Sequence, residues 1–70
     1  MNIVSGTLHL FSGKQIELAT KAAVEVVTSF WSSVPDHDDI PTTLELSPTH
    51  HIVVTRSSIA AIELVGRPER

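Results

Sequence analysis

The residues with chemical capability gather in three places. Pro35 to Pro41, PDHDDIP, sets three aspartates and one histidine between two prolines. Asp36, His37, Asp38 and Asp39 offer carboxylate oxygens and an imidazole, donors suited to a divalent ion. Adjacent side chains do not all converge on one ion, however. Calcium loops alternate their ligands around a turn glycine, and this stretch has no glycine. It reads first as a solvated acidic loop, second as a partner contact and only third as a metal site.

His9, His50 and His51 form the second group. The strand register derived below points His9 and His51 to the face away from the helix, together with Glu17, Glu45 and Glu63. A site of two histidines and one carboxylate would follow if the first and fourth strands were neighbours. Neither separation matches a zinc pattern, H-E-x-x-H is absent, and there is no cysteine to contribute. The histidines therefore read as polar residues on a wet or intersubunit sheet face. The third group is Ser57-Ser58. A nucleophilic serine needs a base, an orienting acid and a strained turn of the G-x-S-x-G kind. TRSSI has no glycine and reads as turn chemistry. Gly6, Gly13 and Gly66 stand too far apart for a phosphate-cradling loop. No catalytic residue, metal ligand or cofactor is expected.

These side chains must be positioned by a short series of elements. Ile3 to Phe11 alternates as a strand, with Val4, Gly6, Leu8 and Leu10 on one face. Ser12-Gly13-Lys14 is a turn, and Ile16 and Leu18 point inward on a second strand, giving a hairpin. Ala19 to Val34 contains no Gly or Pro. On a helix of about 100° per residue, Ala19, Ala23, Val26, Val27, Phe30 and Val34 make one stripe. Lys21, Glu25, Thr28 and Ser32 make the polar face. Thr20 is the candidate N-cap, and Pro35 ends the helix because the residue before proline avoids the helical region. Thr42 to Leu46 is a third strand and His51 to Thr55 a fourth. Arg56 to Ser58 bends, and Ala60 to Val65 is the fifth strand, with Ile62 and Leu64 inward. HHIVVTRSSIAAIELV, about a quarter of the chain, resembles the closing strands of small barrels and Sm-like domains. Sm-like proteins place their helix before the first strand, whereas here it follows the second, and no functional residue is implied. The expected fold is α+β: a mainly antiparallel sheet of four to five strands with one helix on one face, in the order β-β-α-β-β-β. Residues 1–66 form the single domain and 67–70 a frayed tail.

Seventy residues allow one domain with a marginal core. Domains this small usually add disulfides, a metal or subunit contacts, and the absence of cysteine removes the first. The net charge of −3, from eight acids and five scattered bases, opposes nucleic-acid binding. Three aromatic residues, Phe11, Phe30 and Trp31, are too few for a base-stacking platform. Neither a signal peptide nor a membrane span is legible, so a cytoplasmic setting is expected.

The helix carries more apolar surface than one sheet needs. Val24 and Trp31 lie on one flank, about 80–100° from the stripe centre. Phe11, Val53, Thr55, Ala61 and Val65 make the outer sheet face less polar than a free face. Tryptophan is a favoured interface anchor. Trp31, Val24, Phe11 and Val53 are therefore the expected partner or oligomer contacts. The chain reads as a small non-catalytic binding or assembly module, a homo-oligomer or a docking partner of another protein. The alternative is a small-molecule or peptide-binding regulator whose site forms between subunits.

Overall fold

The computed structural model describes residues 2–67 of the chain. The elements are β1 (Asn2–Leu10), β2 (Gln15–Leu18), α1 (Lys21–Ser33), β3 (Thr42–Ser47), β4 (His50–Val54), one 3-10 turn (Arg56–Ser58) and β5 (Ile59–Arg67). The α+β class and the element order agree with the sequence. The single sheet does not form. Three strands make one antiparallel sheet in the order β2-β1-β5, and among the described residues β3 and β4 pair only with each other. The expected tail begins inside an element, since Arg67 closes β5 opposite Asn2. Residues 68–70 lie outside the described residues.

Local chemistry explains the hairpin and the helix. Leu8 faces Ile16 and Gly6 faces Leu18 across β1 and β2, so one apolar face runs over both strands. Gly13 closes the turn at a φ of 93°, a conformation that side chains with a Cβ resist, and donates its N–H to the Leu10 carbonyl at 2.9 Å. Thr20 caps α1: its Oγ1 accepts from the Ala23 N–H at 3.1 Å. Val34, just before Pro35, is already extended, as the proline demands. On the wet face, the Thr28, Ser32 and Ser33 hydroxyls donate back to carbonyls one turn earlier.

Two bulges reassign the inward positions. Between Ile3 and Ser5 the partners advance only from Gly66 to Val65, so Val4 is an extra residue in β1. Ile3, not Val4 as the alternation suggested, therefore packs against the core. Between His9 and Leu10 the partners jump from Ala61 to Ile59, which makes Ala60 extra in β5 and turns Ile59 inward beside Ile62. A third shift falls at Leu46 in β3.

One apolar cluster draws on α1 and both sheets. Leu8, Leu18 and Val27 are fully buried at its centre, with Phe30, Leu44, Leu46, Val54 and Ile59 around them. α1 lies against β3, β1 and β2. Its buried face is Ala23, Val24, Val27 and Phe30. That face is rotated by about 40° from the stripe expected from the sequence, towards Val24 and Trp31. The helix serves two sheets rather than one, and the second draws the flank residues inward.

Candidate functional site

Trp31 is the largest apolar side chain of the protein, and the structure covers it from within. It is half-buried and packs against the core cluster. The guanidinium of Arg56 stacks over its ring, 3.4 Å from the centroid. The Arg56 Nε–H also donates to the Trp31 carbonyl at 3.4 Å. Arg56 follows β4 after Thr55 and starts the 3-10 turn, so the backbone bend itself aims the side chain back at the end of α1. The turn is tied on both sides. The Ser57 N–H donates to the Asp38 carbonyl, and the Phe11 N–H donates to the Ser58 carbonyl, both at 2.9 Å. Arg56 is only 7 % exposed. Among the described residues no carboxylate lies within ion-pair distance of it, so the tryptophan face and the Trp31 carbonyl are the protein groups that compensate its charge.

This arrangement corrects the expected contact surface. Val24 is 4 % exposed and belongs to the core of its own chain. With Val24 buried and Trp31 roofed by Arg56, the helix flank does not offer the free apolar patch inferred from the sequence. The other two residues stand where a partner could reach them. Phe11 is 75 % exposed at the β1–β2 turn, and Val53 is 66 % exposed on the outer face of β4. Val65, expected on the outer sheet face, is exposed as well, and so are Ile40, which the sequence did not single out, and Leu64, which the alternation placed inward.

The polar outer faces separate the histidines. His9 Nε2 lies 3.2 Å from Glu63 Oε1 on the three-stranded sheet. His51 Nε2 lies 3.8 Å from Glu45 Oε1 on the two-stranded sheet. β1 and β4 are not neighbours, so the two-histidine, one-carboxylate site does not assemble. Both pairs are partly open to water, where such contacts contribute little. Among the described residues no group of three or more His, Asp or Glu side chains is placed to hold a metal ion.

The acidic loop is ordered by its own chemistry. Asp38 Oδ1 accepts the Ile40 N–H at 2.8 Å, and the Asp38 N–H donates to the Pro35 carbonyl at 3.0 Å. Asp36 and His37 stand 3.6 Å apart, both largely exposed. Ser57 and Ser58 hydrogen-bond within their own turn: the Ser58 hydroxyl donates to the Thr55 carbonyl at 2.7 Å. A shallow cleft of about 120 Å³ opens at the start of α1, between Glu17, Thr20, Ser47 and His50. It is smaller than the few hundred Å³ that small-molecule sites usually enclose.

Sequence reasoning missed Arg56 and the exposure of Leu64. The one available signal for Arg56 was a lone cation inside an apolar stretch, IVVTRSSIAAI. No helix among the described residues is long and apolar enough to cross a membrane. Comparison with protein-family models, curated proteins and solved structures found no match to this chain.

Proposed function

We propose that the protein is a small non-catalytic binding and assembly module, which self-associates or docks on a protein partner through exposed apolar side chains. The observation that carries this reading is the exposure of Phe11, Ile40, Val53, Leu64 and Val65 on a chain of 70 residues. A domain so short has little apolar area to spare. Burial of such side chains contributes about 25 cal/mol per Å². Phe11 and Val53 are retained as contact residues; Val24 is not, and Trp31 contributes at most its open edge.

Sedimentation equilibrium tests the reading. The wild-type mass is expected to rise with concentration, or to rise when a bound partner copurifies. Phe11→Ser with Val53→Ser should weaken any association that uses those two positions. A protein that stays monomeric at high concentration and retains no partner on purification from its host would overturn it. The cleft at Glu17 and His50 does not favour a ligand-binding regulator acting as a single subunit, because it is too small.

A further inference from the structure

We infer that two copies of this chain join edge to edge through β5, in antiparallel fashion, extending each three-stranded sheet into one sheet of six. The inference rests on the assembly reading above and names its surface. β5 is an edge strand: among the described residues its only neighbour is β1. An edge strand presents unpaired N–H and C=O groups that template pairing with another chain. Proteins usually blunt such edges with proline, lysine, short length or an inward charge. β5 has nine residues, against four in β2 and five in β4. From Ile59 to Gly66 it holds no proline and no cation. Its bulge, at Ala60, sits at the start and leaves Ala61 to Val65 in regular register.

Charge decides in favour of a second copy. Glu63 is the one ionisable residue between Ile59 and Gly66. Its carboxylate is held 3.2 Å from His9 on β1, which lies on the side away from the free edge. The edge therefore carries a single charge along this length, and a two-fold axis brings no like charges into direct opposition if the register is right. Setting Leu64 opposite the second copy's Leu64 places each Glu63 opposite Val65. That register avoids a Glu63–Glu63 pair, which would be destabilising. A strand with isologous, self-complementary ends needs no other partner.

Two apolar side chains beside that axis are only half covered. Leu64 is 44 % exposed and Val65 49 % exposed, one on each face of the sheet. β2 covers β1 only from Gly6 to His9, so the Asn2–Ser5 end of β1 and the Val65–Arg67 end of β5 form a ribbon of two strands. Such ribbons are marginal alone, and three or more strands stabilise them. Pairing through β5 supplies the missing neighbours. In that register Ala61 to Arg67 of each copy pair, a run of about 23 Å and a contact below the roughly 800 Å² per partner of a standard interface. The dimer is therefore of the weak, concentration-dependent class.

Sedimentation equilibrium and concentration-dependent hydrogen exchange test the interface together. Wild-type protein should move from monomer to dimer mass as concentration rises, and the β5 amides should exchange more slowly while those of β4 do not. Val65→Glu sets a carboxylate opposite the second copy's Glu63 in that register, a like-charge pair, and should hold the protein at monomer mass with unchanged circular dichroism. Val53→Glu, an equal charge on the other sheet, should dimerise as wild type does. If Val65→Glu dimerises normally and Val53→Glu does not, β5 is not the interface, although the protein still assembles. If wild-type protein is monomeric throughout and binds no partner, the assembly reading falls as well. Should Val65→Glu fail to fold, β5 exchange in the wild type decides: rates independent of concentration in a protein that does dimerise overturn the β5 contact.

Discussion

Arg56 roofs Trp31, its guanidinium 3.4 Å from the ring centroid and its Nε–H on the Trp31 carbonyl. The pair fastens the turn between β4 and β5 to the last turns of α1. Arg56→Met keeps much of the apolar stem but removes the cation and the donor. It should cost about 1–3 kcal/mol, and Trp31 emission should shift to the red as water reaches the ring. Arg56→Lys should recover only part of the loss, because an ammonium does not stack on the indole as a planar guanidinium does. Urea denaturation followed by fluorescence measures both, and an Arg56→Met protein with unchanged midpoint and emission would show the stack to be idle.

Gly6 sits where β1 and β5 approach closely. A Cβ there would collide with the carbonyl oxygen of Glu63, a backbone atom that moves only if the strands separate. Gly6→Ala should therefore destabilise by about 1–3 kcal/mol, the usual cost of overpacking. The amides of Glu63 and Leu64 should exchange faster. An unchanged melting temperature would mean that the strands spread without cost.

The helix face is open to a direct comparison. Phe30→Ala should cost about 3–5 kcal/mol. Val24→Ala should cost about 1–3 kcal/mol, because Val24 is buried. Lys21→Ala, on the exposed side, should stay within about 0.5 kcal/mol of wild type. Thermal denaturation of the three variants would contradict the observed helix rotation if Val24→Ala behaved like Lys21→Ala.

The acidic loop divides into two kinds of aspartate. Asp36→Asn and Asp39→Asn should each change stability by less than about 0.5 kcal/mol. Asp38→Ala removes the acceptor of the Ile40 N–H and should cost about 1 kcal/mol. Equal effects at all three positions, read from denaturation midpoints, would show that the Asp38 contact contributes nothing.

Local signals were legible wherever the chain alone decides the structure. Thr20 as cap, Pro35 as stop and Gly13 as turn follow from backbone chemistry that needs no distant partner. Ile16 and Leu18 face inward because nothing disturbs the alternation of β2. The failures share one cause. Alternation says which residues share a face but not which strand lies beside which, so the division into β2-β1-β5 and β3-β4 was not visible. Bulges at Val4 and Ala60 shift the alternation without marking the sequence, and they exchange Val4 for Ile3 and bring Ile59 inward. The helix is apolar over so wide an arc that a rotation of about 40° fits the same residues. Trp31 looked unpartnered because its cover, Arg56, lies 25 residues away and reaches it only through the tertiary fold.

The pairing of β1 with β5 also sets a timetable for the newborn chain. Leu10 must wait for Ile59 to be made, and Asn2 for Arg67. With roughly 50–65 residues to add at ~5–20 per second, the wait lasts about 3–13 s. Through that interval the β1–β2 hairpin has an open edge, and Leu8 lacks Ile62 across from it. Folding therefore completes only after β5 leaves the ribosome. The yield of soluble protein in a cell should then respond to translation speed and chaperone supply as well as to the stability of the finished fold.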